Sequence, residues 1–197
     1  MKKVLLAICD TPTVSTGFGV VSNNILNNIR HEWDIHILGI NYHGDPHKYQ
    51  DRFKIYNPNI GGDVYGFGRL QEMIHVIRPD AILIINDPWV AASFVGRIRQ
   101  ITNDIPIVVY TPVDSPGIKS EYILPLNQAT HVVSYTDWGL SELKKSGLTI
   151  QSSVAPHGVN PSVFNPVSKD AARKELFKGV ETLEKTNPFI VLYTARN

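Results

Sequence analysis

The sequence predicts an α/β fold with a Rossmann-like, doubly wound and mainly parallel sheet. Short apolar runs rich in valine and isoleucine alternate along the chain with segments whose apolar residues recur at helical spacing. Most runs are continuous rather than alternating, which is typical of strands covered on both faces. Strand-helix-strand repetition implies right-handed crossovers between parallel strands. Ligands of such sheets bind beyond the carboxyl ends of the strands, so we expect the functional residues there.

Each element follows from this pattern. Six apolar runs predict strands, at residues 4–8, 35–38, 81–85, 107–110, 131–134 and 189–193. A further short strand is expected near Phe53 to Tyr56, inside a long polar loop over residues 41–65. Apolar spacing predicts helices over residues 18–29, 70–77, 91–98 and 138–144, the last stopped by Gly147.

Composition and charge narrow the function classes. Hydrophobic residues make up 43% of the 197 residues, enough for a sizeable core and too much for a disordered chain. With 19 basic and 18 acidic residues, the net charge of +1 gives no broad field for a nucleic-acid backbone or an anionic membrane. Peripheral contact with a membrane stays open. Cys9 is the one cysteine; this excludes a disulfide framework and fits a reducing, cytoplasmic compartment. No apolar stretch approaches the length of a membrane span.

The loop after the first predicted strand is a candidate ligand site. Glycines let the backbone approach a ligand, and the amides at a helix start favour anions. The alternative is a plain strand-to-helix turn with a serine or threonine cap. A dinucleotide fingerprint is not met, because Ser22 stands where the third glycine belongs and no acidic residue ends the second strand. The candidate ligand-contacting residues are Ser15, Thr16, Gly17, Phe18 and Gly19.

Two carboxylates are expected at the carboxyl edge of the sheet. Asn86 and Asp87 end one predicted strand, and Thr111 and Asp114 follow the next. Asp87 could instead cap the following helix, with Pro88 at its first position. Asp114 lies in a loop braced by prolines, where aspartate is also a common turn former.

Histidines offer weaker signals. His157, followed by Gly158, could contact a ligand, although a single histidine is more often structural. His43 and His47, with Asp45 between them, have the spacing of a metal pair. They lie in a polar loop without helical support, and no nearby cluster completes a tetrahedral site. We therefore expect no metal.

One segment goes further than the general pattern. Residues 155–166, with the sequence APHGVNPSVFNP, closely resemble the P-H/N-G-V-D/N-x-x-x-F-x-P segment of retaining GT-B glycosyltransferases of family 4. Thr16–Gly19 looks like the family's glycine loop, and residues 134–139 look like the start of its helix before the hinge. Thr194–Asn197 resembles the opening of its donor-binding domain. These pieces occur in the order that the family has.

The resemblance implies a domain organisation and an activity. Residues 1–166 would form the N-terminal, acceptor-side domain, residues 167–188 a linker helix region, and residues 189–197 the first strand of a C-terminal donor-binding domain that is otherwise absent. The enzyme would be a hexosyltransferase of carbohydrate biosynthesis. It would transfer a sugar from a nucleotide sugar to a glycan, lipid or small-molecule acceptor with retention. This chain alone would be inactive.

The resemblance also implies roles for residues, and no cofactor or metal. Many family members carry a histidine after the strand at 107–110, and Asp114 is the tentative catalytic candidate for that work here. Arg196 would contact the donor phosphate, and the glycine loop would contact acceptor or phosphate. The remaining cleft residues would be Asn86, Asp87, Thr111, His157 and Gly158.

Two other functions fit a fold of this kind. A non-catalytic ligand-binding or interaction domain could have kept half of the GT-B fold. Another GT-B enzyme, such as a nucleotide-sugar epimerase, could also share it. The segment at 155–166 favours the transferase over the epimerase. Donor motifs beyond residue 197 would separate the transferase from the binding domain.

Overall fold

The computed structural model describes residues 2–180, 186 and 188–191. Within them, a seven-stranded sheet forms the centre of the fold. The strands are Lys3–Asp10 (β1), Trp33–Ile40 (β2), Lys54–Tyr56 (β3), Ala81–Ile85 (β4), Ile107–Thr111 (β5), His131–Ser134 (β6) and Ser152–Val154 (β7). Their order is β3-β2-β1-β4-β5-β6-β7, and every neighbouring pair is parallel. The predicted Rossmann-like, doubly wound α/β fold is thereby confirmed.

Helices follow the strands, as the apolar spacing predicts. They are Gly17–Ile29 (α1), Leu70–Ile77 (α2), Pro88–Ile101 (α3), Ser120–Ile123 (α4), Asp137–Lys145 (α5) and Lys169–Leu176 (α6), with 3-10 turns at Phe67–Arg69 and Leu124–Gln128. Thr16 and Thr136 cap α1 and α5, each accepting a backbone amide at 3.0 Å. Across the described residues, no helix combines the length and apolar character needed to cross a membrane.

The core forms because the central strands are apolar on both faces. In β1, every residue from Leu5 to Asp10 is buried. On one face α1 packs through Leu26, and on the other face α3 and α5 pack through Phe94 and Leu143. Each such side chain contributes about 1.5–3 kcal/mol of hydrophobic stabilisation when fully buried. Two layers of helices therefore hold the sheet and fix the positions of its strand ends.

The strand order reverses between β1 and β4. From β1 the chain proceeds through β2 to one edge of the sheet, and from β4 it proceeds through β5 and β6 to the other. Diverging connections leave a crevice at the carboxyl ends of the two neighbouring strands, which is where ligands of doubly wound sheets bind. Asp10 ends β1 at this crevice, and Asn86 follows β4.

β7 is the strand that the hydrophobic pattern does not predict. Its sequence, Ser152-Ser153-Val154, contains one apolar residue, and it pairs with β6 alone at the edge of the sheet. An edge strand of three residues has little need of an apolar run, because one side of it lacks a neighbouring strand.

The chain divides into two compact units, Met1–His157 and Gly158–Asn197. In the second unit, the Asn160 carbonyl accepts from two later amides, and Ser168 caps α6. Residues 188–191 have no regular secondary structure, and the remainder of the strand predicted at 189–193 lies outside the described residues. The predicted boundaries at residues 166 and 188, and the donor-binding domain beyond them, stay predictions.

Cys9 yields a prediction about the native state. The side chain is fully buried in β1, and burial raises the pKa of its thiol to about 12. Because the thiolate is the reactive form, we expect Cys9 to resist a thiol reagent at pH 8 while the chain is folded. Thiol titration with and without urea checks this, with the unfolded chain as the reactive control. Rapid labelling of the native chain would contradict the burial.

Candidate functional site

A hydrogen-bonded network fixes the loop between β1 and α1. The Thr16 hydroxyl donates to the Asp10 carboxylate at 2.7 Å and accepts from the Gly19 amide at 3.0 Å. The other Asp10 oxygen accepts from the Asn41 side-chain amide at 3.2 Å. Asn41 follows β2 with a φ of 65°, a left-handed conformation in which asparagine is enriched. Asp10 therefore ties the ends of β1 and β2 to the start of α1.

The predicted loop residues fall into structural and accessible ones. A Cβ at Gly19 would lie 2.5 Å from the Val14 carbonyl oxygen, so the loop closes tightly over this position. Phe18 packs against the apolar core. Ser15 is exposed and lines an open cleft, and a Cβ at Gly17 would meet no atom within 4 Å. The Ser15 side chain and the Gly17 backbone are thus the parts of the loop that a ligand could reach.

Asp87 lies at the N-cap position of α3 but does not cap the helix. Its carbonyl accepts the first helical hydrogen bond from Ala91, whereas its carboxylate makes no side-chain capping bond. Loss of solvent raises the pKa of this carboxyl, and the nearby charges of Asp114 and Asp10 raise it further. Asp87 and Pro88 thus occupy the cap and first helical positions considered from sequence, but the half-buried carboxylate makes no capping bond and is available for other work.

The other residues expected at this edge differ in accessibility. Asn86 is buried, and its side-chain oxygen accepts from the Asp87 amide at 2.9 Å. Thr111 is fully buried, and its hydroxyl donates to the Pro112 carbonyl at 3.3 Å, which suits a structural role. Asp114 is exposed, in the loop between β5 and α4. The structure thus brings Asp87 and Asp114 close enough for their charges to interact.

Three aromatic rings contact one another near the carboxyl ends of β5 and β6. The Tyr135 ring centroid lies 4.4 Å from that of Tyr110 and 4.1 Å from that of His157. Loss of solvent lowers the pKa of His157, so its imidazole is favoured in the neutral form. The Tyr110 hydroxyl donates to the Ala155 carbonyl at 2.8 Å and so anchors the segment that follows β7.

An open cleft of about 620 Å³ separates the glycine loop from the loop after β2. Residues of the second loop, including His43, Asp45 and His47, line it opposite Ser15. The His47 Nδ1 accepts from the Tyr49 amide at 3.1 Å, which leaves Nε2 as a donor. In the parts of the chain that the structure describes, no group of three or more His, Cys, Asp or Glu side chains could hold a metal ion.

Two of the predicted site residues cannot be placed in this crevice. Gly158 is exposed and begins the second unit, and Arg196 lies outside the described residues. Two residues with strong structural evidence, Asp10 and Tyr135, are not among the predicted ones. Asp10 could have been found from its place at the end of the first strand. No sequence signal distinguishes Tyr135, because its interest comes from contacts with residues distant along the chain.

Comparisons with known proteins bear on the fold. No protein-family profile and no curated protein sequence matches the chain. The structure is similar to that of α,α-trehalose 6-phosphate synthase from Burkholderia multivorans, with a TM-score of 0.57 and 13% identity over 93% of this chain and 55% of that chain. It is also similar to the E. coli trehalose-6-phosphate protein bound with UDP-2-fluoro glucose, with a TM-score of 0.55 and 11% identity over 88% and 54% of the two chains.

A third similar structure is the UDP-forming α,α-trehalose-phosphate synthase from Burkholderia xenovorans in complex with glucose-6-phosphate. Its TM-score is 0.54, with 13% identity over 92% of this chain and 55% of that chain. The chain therefore spans little more than half the length of the proteins it is similar to. At this level of identity the likeness shows the fold alone: the chain has the Rossmann-like architecture of a GT-B glycosyltransferase domain.

Proposed function

We propose that the chain is the acceptor-side domain of a GT-B glycosyltransferase of the retaining, family 4 type. It would act in the cytoplasm on a nucleotide-sugar donor, without a metal or other cofactor. One observation supports the proposal: Asp87, near the crevice where the strand order reverses, has a half-buried carboxylate that makes no capping bond and is influenced by the charge of Asp10, to which Thr16 of the glycine loop donates. The proteins of similar fold include one bound with a UDP-sugar analogue and one bound with a sugar phosphate.

Asp87 suits the recognition of an acceptor hydroxyl. Its carboxylate has no hydrogen-bonding partner among the described residues, and so can accept from the hydroxyl that attacks. In the transfer, the acceptor oxygen bonds to the anomeric carbon and the bond from that carbon to the diphosphate breaks. The proton of the acceptor hydroxyl would pass to an oxygen of the leaving diphosphate. Asp114 would add negative charge at the same edge, and the nearby Ser15 and Gly17 backbone would contact the acceptor or a phosphate.

The donor would lie against a second domain, supplied by sequence outside this chain. Closure of the two domains would exclude water, which otherwise hydrolyses the activated sugar. Arg196 and the amides of the glycine loop would offset charge on the leaving diphosphate. The hexosyl specificity and the retention of configuration rest on the resemblance at residues 155–166.

A transferase assay tests the proposal. The protein in its longest natural form is incubated with a panel of nucleotide sugars, and released nucleotide is measured with and without candidate acceptors. We expect release that depends on an acceptor, and no release from residues 1–197 alone. Retention is read from the anomeric configuration of the product by NMR. Binding of acceptors without turnover of any donor would favour a non-catalytic binding domain instead.

A further inference from the structure

The Tyr135 hydroxyl is a buried polar group without a partner among the residues that the structure describes. The residue directly follows β6, and its ring contacts those of Tyr110 and His157. The hydroxyl oxygen is removed from solvent and forms no hydrogen bond among the described residues. Most buried polar groups in proteins are hydrogen-bonded, and leaving one unbonded is unfavourable. A hydroxyl in this state serves no evident structural purpose.

The neighbouring tyrosine shows what a structural hydroxyl looks like at this edge. Tyr110 lies in β5 with its ring against that of Tyr135, and its hydroxyl donates to the Ala155 carbonyl at 2.8 Å. The two side chains have the same chemistry and contact each other. They differ in whether the hydroxyl has a partner, so each is a matched control for the other.

Asp87 supplies a complementary group near Tyr135. Asp87 follows β4 and Tyr135 follows β6, so the two residues lie at the carboxyl ends of parallel strands on either side of β5. The Asp87 charge also contributes to the raised pKa of the Tyr135 phenol, after the larger effects of burial and of Tyr110. The two side chains form no direct hydrogen bond. A phenol can donate one hydrogen bond and an ionised carboxylate can only accept. A third group that both accepts and donates would therefore satisfy both of them.

We propose that a hydroxyl group of a sugar or other polyol binds between Tyr135 and Asp87, accepting from the phenol and donating to the carboxylate. Tyr135 is then a ligand-binding residue of the acceptor site. The inference rests on the proposed function in that the polyol would be the acceptor sugar. A sugar hydroxyl provides one donor and two acceptor lone pairs, so it can satisfy both protein groups at once. The neutral His157 ring contacts the phenol ring in a tilted arrangement and limits its movement.

The stability of two variants tests the state of the hydroxyls. Tyr135→Phe removes a hydroxyl without a partner, so we expect a melting temperature equal to or above that of the wild type. Tyr110→Phe removes a hydroxyl that bonds to the Ala155 carbonyl, so we expect a lower one. Both variants keep the contacting aromatic rings. A loss in Tyr135→Phe as large as that in Tyr110→Phe would show that Tyr135 has a protein partner and would overturn the proposal.

Calorimetry tests whether a polyol binds at Tyr135. The 197-residue chain and both variants are titrated by calorimetry with D-glucose, glucose 6-phosphate and myo-inositol at millimolar concentrations, and the best probe is compared with its single-deoxy analogues. We expect Tyr135→Phe to weaken binding about 5- to 30-fold, and Tyr110→Phe to leave it unchanged. One deoxy analogue should bind the wild type more weakly and should lose nothing further in Tyr135→Phe, because both changes remove the same bond.

The outcomes separate this inference from the proposed function. Polyol binding that depends on Tyr135, in a protein that transfers no sugar, supports the polyol site and contradicts the proposed transferase activity. Sugar transfer with an unchanged KM for the acceptor in Tyr135→Phe supports the enzyme and overturns the site. Equal binding by the wild type and Tyr135→Phe, or failure of the wild type to bind any of the three probes, also overturns it.

Discussion

Replacing Asp87 with asparagine is expected to lower kcat/KM for the acceptor about 10- to 100-fold, mainly through a higher KM, because the substitution removes a hydrogen bond to a charged group. The amide keeps the size of the side chain but lacks the charge and one acceptor oxygen. Steady-state kinetics with varied acceptor and varied donor measure the effect. An unchanged KM for the acceptor, with unchanged kcat, would remove Asp87 from the site.

The same variant has an expected signature in stability. Folding raises the pKa of Asp87, so the ionised carboxylate is less favoured in the folded chain than in the unfolded one. This group therefore favours the folded state most at low pH, and that advantage is lost as pH rises through the raised pKa. We expect Asp87→Asn to be slightly more stable than the wild type at pH 7. The difference should vanish below about pH 3.9, where the carboxyl is protonated in both states.

Asp114→Asn is the matched control for this electrostatic effect. It removes the like charge that is the second cause of the raised pKa at Asp87, after burial. The pKa of Asp87 should then fall toward its ordinary value, as measured by NMR titration of the carboxyl carbon. A pKa of Asp87 that does not move would show that the two side chains are too far apart to interact.

Gly19→Ala is expected to destabilise the first unit by about 1–3 kcal/mol, because the new methyl group would overlap the Val14 carbonyl oxygen at 2.5 Å. The main chain must move to relieve this contact, and that movement would disturb the bonds from Thr16. For a unit of this size, the melting temperature should fall by roughly 2–4 °C for each kcal/mol. Urea unfolding gives the change in free energy directly.

Gly17→Ala provides the control in the same loop. A Cβ there would meet no atom within 4 Å, so the stability should change by less than about 0.5–1 kcal/mol. Ligand binding should nevertheless weaken if the Gly17 backbone contacts the ligand, because the methyl group narrows the approach. Equal destabilisation by the two variants would contradict the close packing described at Gly19.

The architecture was predictable because burial on both faces leaves a strong mark on sequence. The runs at 4–8 and 81–85 lie in β1 and β4, and a short strand was correctly expected inside the loop at 41–65. β7 was missed because an edge strand of two serines and a valine carries almost no apolar signal. Trp138, the first residue of the helix predicted at 138–144, is 47% exposed, because Gly139 and Leu143 face the core instead.

The site was less predictable, because it depends on contacts that local patterns do not encode. Cap preferences predict Asp87 at the N-cap of α3, where it lies, but they do not reveal that its carboxylate makes no capping bond. The sequence predicts Phe18 as a ligand-contacting residue of the glycine loop, but its side chain packs against the apolar core. The interest of Tyr135 depends on Tyr110 and His157, which lie in other parts of the chain and meet it only in the folded state.

The brevity of the outermost strands has a consequence for self-association. In the part of the chain that the structure describes, the sheet is bordered by β3 and β7, each of three residues. Unpaired backbone amides and carbonyls along a long edge strand favour pairing with a second molecule, and very short edge strands limit such pairing. The long, strongly apolar strands lie inside, where neighbours already satisfy them. The edges of the described sheet therefore present little template for amyloid-type growth, which at this sheet would begin from molecules in which it has opened.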